Sequence, residues 1–156
     1  WQLDRAAAAY NIATAQRLTG PLDPNALEAA LRDLCRRHET LRTTFDDVAG
    51  ELAQRVWPDA DLTLARVHLG DGGGLAAGLR AGARVPFDLG RGPLLRASLF
   101  RLGGREHVLQ LVMHHIVADA WSLRVMVEEL SALYAARLSG APAGLPAFDY
   151  TTVQAR

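Results

Sequence analysis

Apolar positions along this chain recur with two periods, near two and near 3.6, which predicts alternating strands and helices. Residues 10–18 read as extended and stop at Thr19-Gly20-Pro21, a turn signal. A helix then opens. Asp23 is placed to cap it, Pro24 takes the first helical position, where its missing N–H is not needed, and Glu28 sits in the first turn. Leu27, Ala30, Leu31, Leu34 and Cys35 fall at i, i+3, i+4, i+7 and i+8 and form one apolar face. Arg32, Asp33, Arg36 and Arg37 occupy the other face, and the helix is predicted to end near His38.

Residues 41–45 and 53–57 read as short strands separated by a loop, and residues 62–69 as another strand. Residues 75–85 predict a weaker helix, because Gly78 and Gly82 each cost about 1 kcal/mol relative to Ala. Residues 93–102 and 107–115 are predicted strands joined by Gly103-Gly104, a hairpin signal. The second is apolar on both faces, with Leu109, Leu111 and Met113 on one and Val108 and Val112 on the other. Such a strand belongs in the middle of a sheet covered on both sides. Leu123, Met126, Val127, Leu130, Leu133, Tyr134 and Leu138 predict a second amphipathic helix over residues 121–138, followed by a loop to Pro146. The expected fold is one α/β domain, a layered sandwich in which the two long helices pack on a mixed β-sheet.

Composition narrows the function without naming it. The 156 residues suit a single domain. Basic and acidic residues number 17 each, which argues against a nucleic-acid binder and against a polybasic membrane anchor. Apolar runs break well before the ~18 residues a membrane helix needs, and no signal peptide opens the chain, so a cytoplasmic location is expected. The single cysteine, Cys35, excludes a disulfide framework and a multi-thiolate zinc site; on its apolar helix face it reads as a small hydrophobe. Gly72-Gly73-Gly74 lacks the Gly-Lys-Ser/Thr ending of a phosphate loop and reads as a flexible connection. All 17 basic residues are Arg and 27 residues are Ala, a bias that reports GC-rich coding. The chain begins on Trp1 and ends without a terminal motif, which is expected of a piece of something longer.

The histidines are where chemistry concentrates. His68 and His107 lie near strand ends and read as surface residues, and His38 closes a helix, where an imidazolium suits the dipole. His114-His115 ends the central strand, and after Ile116-Val117-Ala118 comes Asp119. Neighbouring strand residues point to opposite faces, so only one of the pair looks into any one cleft, which opposes joint metal ligation. Strand ends of open α/β sheets bind ligands, and imidazole suits proton transfer near neutrality. No Gly-x-Ser-x-Gly elbow is present. The pattern predicts a reaction in which substrates bring both electrophile and nucleophile while a histidine manages protons.

Met113-His114-His115-Ile116-Val117-Ala118-Asp119-Ala120-Trp121-Ser122 resembles the His-His-x-x-x-Asp-Gly motif of nonribosomal peptide synthetase condensation domains, members of the chloramphenicol acetyltransferase-like acyltransferases. Three further stretches agree in order. Arg37-His38-Glu39-Thr40-Leu41-Arg42-Thr43-Thr44-Phe45 is similar to an Arg-His-Glu-x-Leu-Arg-Thr-x-Phe block. Pro86-Phe87-Asp88-Leu89 with Gly92-Pro93-Leu94-Leu95-Arg96 resembles the segment before the histidine hairpin. Asp149-Tyr150-Thr151-Thr152-Val153-Gln154 is similar to a later Asp-Tyr-Ala-x-Trp-Gln block, and Trp1-x-Leu3 to the tail of an opening motif.

The resemblance implies a chloramphenicol acetyltransferase-like fold, with residues 1–156 as the amino-terminal lobe and the carboxy-terminal lobe outside this chain. It implies amide formation between a donor acyl or peptidyl thioester and an acceptor aminoacyl thioester in secondary-metabolite and antibiotic biosynthesis. Both substrates would ride on 4'-phosphopantetheine arms of donor and acceptor peptidyl carrier proteins, with no cofactor bound by the domain itself. The missing lobe and adjacent synthetase domains are the other implied partners; nucleic acid and membrane are not. His115 would position or deprotonate the amine, and His114 would be structural. Asp119 would pair with an arginine, Arg42 being the candidate in this chain and an arginine of the absent lobe the alternative. Ala120 stands where the motif has Gly, at a junction where a methyl group restricts positive φ or crowds a thioester arm. Trp121 and Ser122 open a helix whose N–H groups would orient a carbonyl. Epimerization domains share the histidine motif but continue into Val-Ser-Trp, whereas here Trp121 precedes Ser122. Other acyltransferases with the motif fit the Arg37–Phe45 block less well, and a catalytically silent recruitment module is the alternative from another class.

Overall fold

The computed structural model describes residues 8–70 and 73–146. In chain order the elements are β1 (Asn11–Thr19), α1 (Pro24–Arg37), β2 (Thr43–Val48), β3 (Glu51–Val56), β4 (Leu64–His68), α2 (Leu75–Arg84), β5 (Leu95–Gly103), β6 (Glu106–His114) and α3 (Ala120–Ser139). Four strands form one sheet in the order β1-β6-β5-β4, while β2 and β3 form a separate hairpin. Within the sheet β4 runs parallel to β5 and the other neighbours are antiparallel, so the sheet is mixed, as expected.

β6 is central because both of its faces are apolar: every residue from Val108 to His114 is buried. One face packs against α1 and α3. Leu27, Leu31 and Leu34 of α1 and Met126 and Leu130 of α3 meet Leu109, Leu111 and Met113, and Cys35 is fully buried among them. Burial pushes its thiol up to about 12, so it is the inert small hydrophobe its position suggests. α1 starts as predicted, with Asp23 accepting hydrogen bonds from the Asn25 and Ala26 N–H groups and Pro24 following it. Tyr134 of α3 accepts the Asp23 N–H at 3.0 Å and pins that corner. Leu138, placed by periodicity on the apolar face of α3, is 56% exposed, because the helix outruns the layer beneath it.

The other face carries α2, and here the two glycines that weaken the helix in sequence acquire a reason. A Cβ on Gly78 would lie 2.8 Å from Cε1 of Phe100, and one on Gly82 would lie 2.5 Å from Oε1 of Gln110. Spaced i, i+4, they form the seam along which the helix backbone seats on the sheet. Gln110 of the central strand donates to Leu79 O at 2.7 Å, and Asn11 of β1 donates to Ala83 O and Val85 O.

Element ends differ from the sequence reading by one to three residues, most at the first hairpin. The strand placed at residues 41–45 starts at Thr43, after a 3-10 turn over Glu39–Arg42, and continues to Val48. The connection thereby shrinks to Ala49-Gly50, whose φ values of 56° and 87° make a tight reversal. At the β5–β6 hairpin Gly103 and Gly104 both have positive φ, which explains the glycine pair. No helix among the described residues is long and apolar enough to cross a membrane. Trp1-x-Leu3, Gly72 and the Asp149–Gln154 block lie outside the described residues.

Candidate active site

β6 delivers the histidine pair to one end of the sheet and separates the two rings. His114, its last residue, is 6% exposed, whereas His115 lies in the following turn and is exposed. The extended reading to residue 115 thus overran the strand by one residue, but the opposed placement of the rings follows from alternation.

The His114 ring packs edge-on against Phe87, centroids 6.3 Å apart, and lies 6.1 Å from the ring of Tyr10. Phe87 is buried in turn beneath the Arg96 guanidinium, 3.8 Å above its ring. The Ile116 N–H donates to His114 Nδ1 at 3.1 Å, so this nitrogen is an acceptor and the neutral ring carries its proton on Nε2. Burial first, and the adjacent His115 second, push the His114 pKa below its ordinary value. These contacts hold a neutral ring in a closed apolar socket.

His115 extends the β1–β6 ladder by one bond, its N–H donating to Tyr10 O at 2.8 Å. Its Nδ1 lies 3.1 Å from Ala118 O. A carbonyl only accepts, so the tautomer assigned from this contact has hydrogen on Nδ1 and a lone pair on Nε2. Val117 and Ala118 are buried, which anchors the turn that orients the ring. The result is an exposed, oriented imidazole with one basic nitrogen available.

Asp119 caps a helix. Its Oδ1 accepts from the Ser122 N–H and from the Ser122 hydroxyl, both at 2.7 Å, making it the N-cap of α3. The backbone bond first and the hydroxyl bond second hold its carboxyl below the usual range. Arg42, its expected partner, is engaged elsewhere. It donates to Trp57 O at 2.5 Å and to Arg36 O at 3.3 Å, with Glu39 at 3.8 Å. Each residue thus bonds within its own end of the structure, Arg42 Nε being left buried without a hydrogen-bond partner among the described residues, and the Asp119–Arg42 pair does not form among them. The cap also takes the Ser122 N–H that the sequence reading assigned to a substrate carbonyl. Ala120 is the first residue of α3, so its backbone is right-handed and does not need glycine's positive φ. Trp121 is 64% exposed and Ile116 36%, so His115 stands beside an open apolar surface.

Sequence reasoning missed a second polar cluster. His38 caps α1 but is 4% exposed, and its Nε2 lies 2.5 Å from Oε2 of Glu129 on α3. Arg37 Nε donates to the same oxygen at 3.0 Å, and its Nη2 donates to Pro146 O. Burial raises the Glu129 carboxyl, but the hydrogen bonds from Arg37 and His38 outweigh it and leave the pKa below normal. The only signal in the sequence was Glu129 on the apolar stripe of α3, one position before Leu130. The backbone links the Arg37–Phe45 block to Leu89, and the segment after Leu89 to the histidine pair. Phe45 N–H donates to Leu89 O at 2.8 Å, and His114 N–H donates to Leu94 O at 3.2 Å.

The chain is similar to known proteins along most of its length. The family described as Condensation domain matches residues 1–155. A linear gramicidin synthase polypeptide of Brevibacillus parabrevis is 45% identical over 149 residues, covering 90% of this chain and 2% of the relative. Among solved structures, the first condensation domain of the CDA synthetase superposes with a TM-score of 0.86 at 28% identity, covering 96% of this chain and 40% of the other. The X-domain in its complex with OxyB from teicoplanin biosynthesis matches with a TM-score of 0.83 at 38% identity, covering 92% of this chain and 32% of that one. The chain therefore spans a small part of the curated synthetase and well under half of either solved structure.

Proposed function

The chain belongs to the condensation-domain family, and from that premise we propose that it forms the amino-terminal wall of a site joining two carrier-bound thioesters by an amide bond. The observation that carries the reading is the exposed His115, with Nδ1 turned to Ala118 O and Nε2 left as an acceptor at the end of the central strand.

In this reading the donor is an acyl or peptidyl thioester and the acceptor an aminoacyl thioester, each on the 4'-phosphopantetheine arm of a peptidyl carrier protein. The acceptor amine attacks the donor carbonyl, a C–N bond forms, and the C–S bond breaks to release the donor arm as a thiol. His115 Nε2 takes the proton the amine loses and returns it to the departing sulfur, so the imidazole ends as it began. Proton transfer of this kind supplies ~10²–10⁴-fold. Holding both arms end to end supplies more, through effective molarity. His114 and Asp119 shape the turn: one seats it in the apolar socket, and the other starts α3 directly behind it.

A test is single-turnover amide formation from loaded carrier proteins by the complete domain. His115→Ala is expected to slow turnover by ~10²–10⁴-fold with an unchanged melting temperature, because the ring is exposed. Wild-type turnover in that variant would refute the assignment.

A second reading rests on the X-domain, which was solved bound to OxyB and is 38% identical to this chain. In this reading the chain would be part of a docking module for another protein. Carrier or partner binding by the complete domain, with no amide product and no effect of His115→Ala, would favour it.

A further inference from the structure

The end of the sheet farthest from His115 carries a concentration of positive charge that amide formation does not use. His68, Arg101 and His107 stand side by side on β4, β5 and β6. Paired residues project to the same face, here the face that bears α1 and α3. Arg66 lies one pleat back on β4, and Arg105 comes from the hairpin turn. All five line a half-open cavity of about 380 Å³, whose apolar walls include Leu22 and Leu99.

Among the described residues, the two carboxylates that neighbour cavity residues in sequence are engaged. Asp23 caps α1, and Glu106 pairs with Arg17 at 3.4 Å. Arg66 donates to a neutral partner, Asn25 Oδ1, at 2.8 Å, while Arg101 and Arg105 form no ion pair among the described residues. His107 Nδ1 is buried and has no hydrogen-bond partner among the described residues. Burial first, then Arg101 and His68, lower the His107 pKa.

We propose that this cavity binds an organic anion, its phosphate or carboxylate head held by Arg101, Arg105 and His107 and its apolar body set against Leu22 and Leu99. Guanidinium groups match such heads through paired N–H donors, and an uncompensated cluster draws anions from solution. β6 separates this cavity from the histidine turn by on the order of 27 Å at ~3.4 Å per residue. A ligand here therefore acts apart from the amide-forming chemistry.

Three probes separate head from body: phenyl phosphate, benzoate and inorganic phosphate. Each is titrated at constant ionic strength into the full polypeptide that carries these residues, with hydrogen–deuterium exchange read by mass spectrometry. The expected result is saturable protection confined to residues 20–24 and 99–108, with phenyl phosphate or benzoate half-saturating at a concentration at least tenfold below inorganic phosphate. The tighter of the two aromatic probes identifies the head group. Arg101→Gln with Arg105→Gln should raise the half-saturating concentration tenfold or more, with exchange elsewhere unchanged. His107→Gln should weaken binding in the same direction without removing a surface arginine. Non-saturating responses to all three probes, or protection undiminished in both variants, would overturn the proposal.

Discussion

At the scale of single residues, the histidine turn shows how adjacent identical side chains acquire opposite properties. His114 is buried, neutral and used by its neighbours; His115 is exposed and retains an acceptor nitrogen. Asp119 belongs with the turn as a helix cap, which changes what its removal should do. An aspartate buried against an arginine would cost several kcal/mol to remove, whereas an exposed cap costs far less. Asp119→Asn should therefore lower the melting temperature only slightly at neutral pH. The folded carboxyl lies below its unfolded value, so the cap's charge-dependent contribution is complete above the unfolded pKa of ~3.9. It is lost as the pH falls through the lower folded value. Melting curves of wild type and Asp119→Asn should thus converge as the pH drops below about 4; a gap that widens in acid would contradict the cap assignment. The opposed histidine faces were legible in the sequence because strand alternation is local. The cap was only half legible, since Asp119 preceding a helix is a cap signal as much as it is a charge seeking a partner.

At the scale of elements, local periodicity predicted nearly every strand and helix, and what it missed was long-range. Gly78 and Gly82 read as defects because propensity considers the helix alone; the sheet face on which α2 seats supplies their purpose. Gly78→Ala sets the two against each other. Alanine's propensity gain is about 1 kcal/mol, while overpacking against the buried Phe100 ring costs ~1–3 kcal/mol. The net should be a loss of about 1 kcal/mol, read from the midpoint of urea unfolding. A stabilised variant would show that α2 lifts from the sheet freely. The contact of His38 with Glu129 spans 91 residues and could not be read from either segment. It joins the end of α1 to the middle of α3. Glu129→Gln should destabilise by about 2–3 kcal/mol, short of the ~3–5 kcal/mol of a fully buried pair because Arg37 keeps partial access to water. Unfolding free energies of wild type and variant at pH 7 test this, and a change under about 0.5 kcal/mol would place the network among ordinary surface pairs.

At the scale of the molecule, this chain presents one wall. His115, Ile116 and Trp121 lie on an open surface, while amide formation between two tethered arms demands that both be held, aligned and screened from water. The chain matches 40% of the CDA condensation domain and 32% of the X-domain, and we propose that the opposing wall belongs to the carboxy-terminal lobe, outside these 156 residues. A surface that is apolar and open in one lobe and covered in the pair makes two linked expectations. The 156-residue chain alone should form no detectable amide from loaded carrier proteins, while the same chain continuous with the second lobe should. Trp121, 64% exposed here, should emit at shorter wavelength in the two-lobed protein, the contribution being isolated by subtracting the Trp121→Phe spectrum. The two readouts separate chemistry from cover. A blue shift without product keeps the two-wall architecture and moves the lobe toward a docking role. Amide product from the isolated chain would show that one wall suffices and would refute the two-wall architecture whatever Trp121 reports.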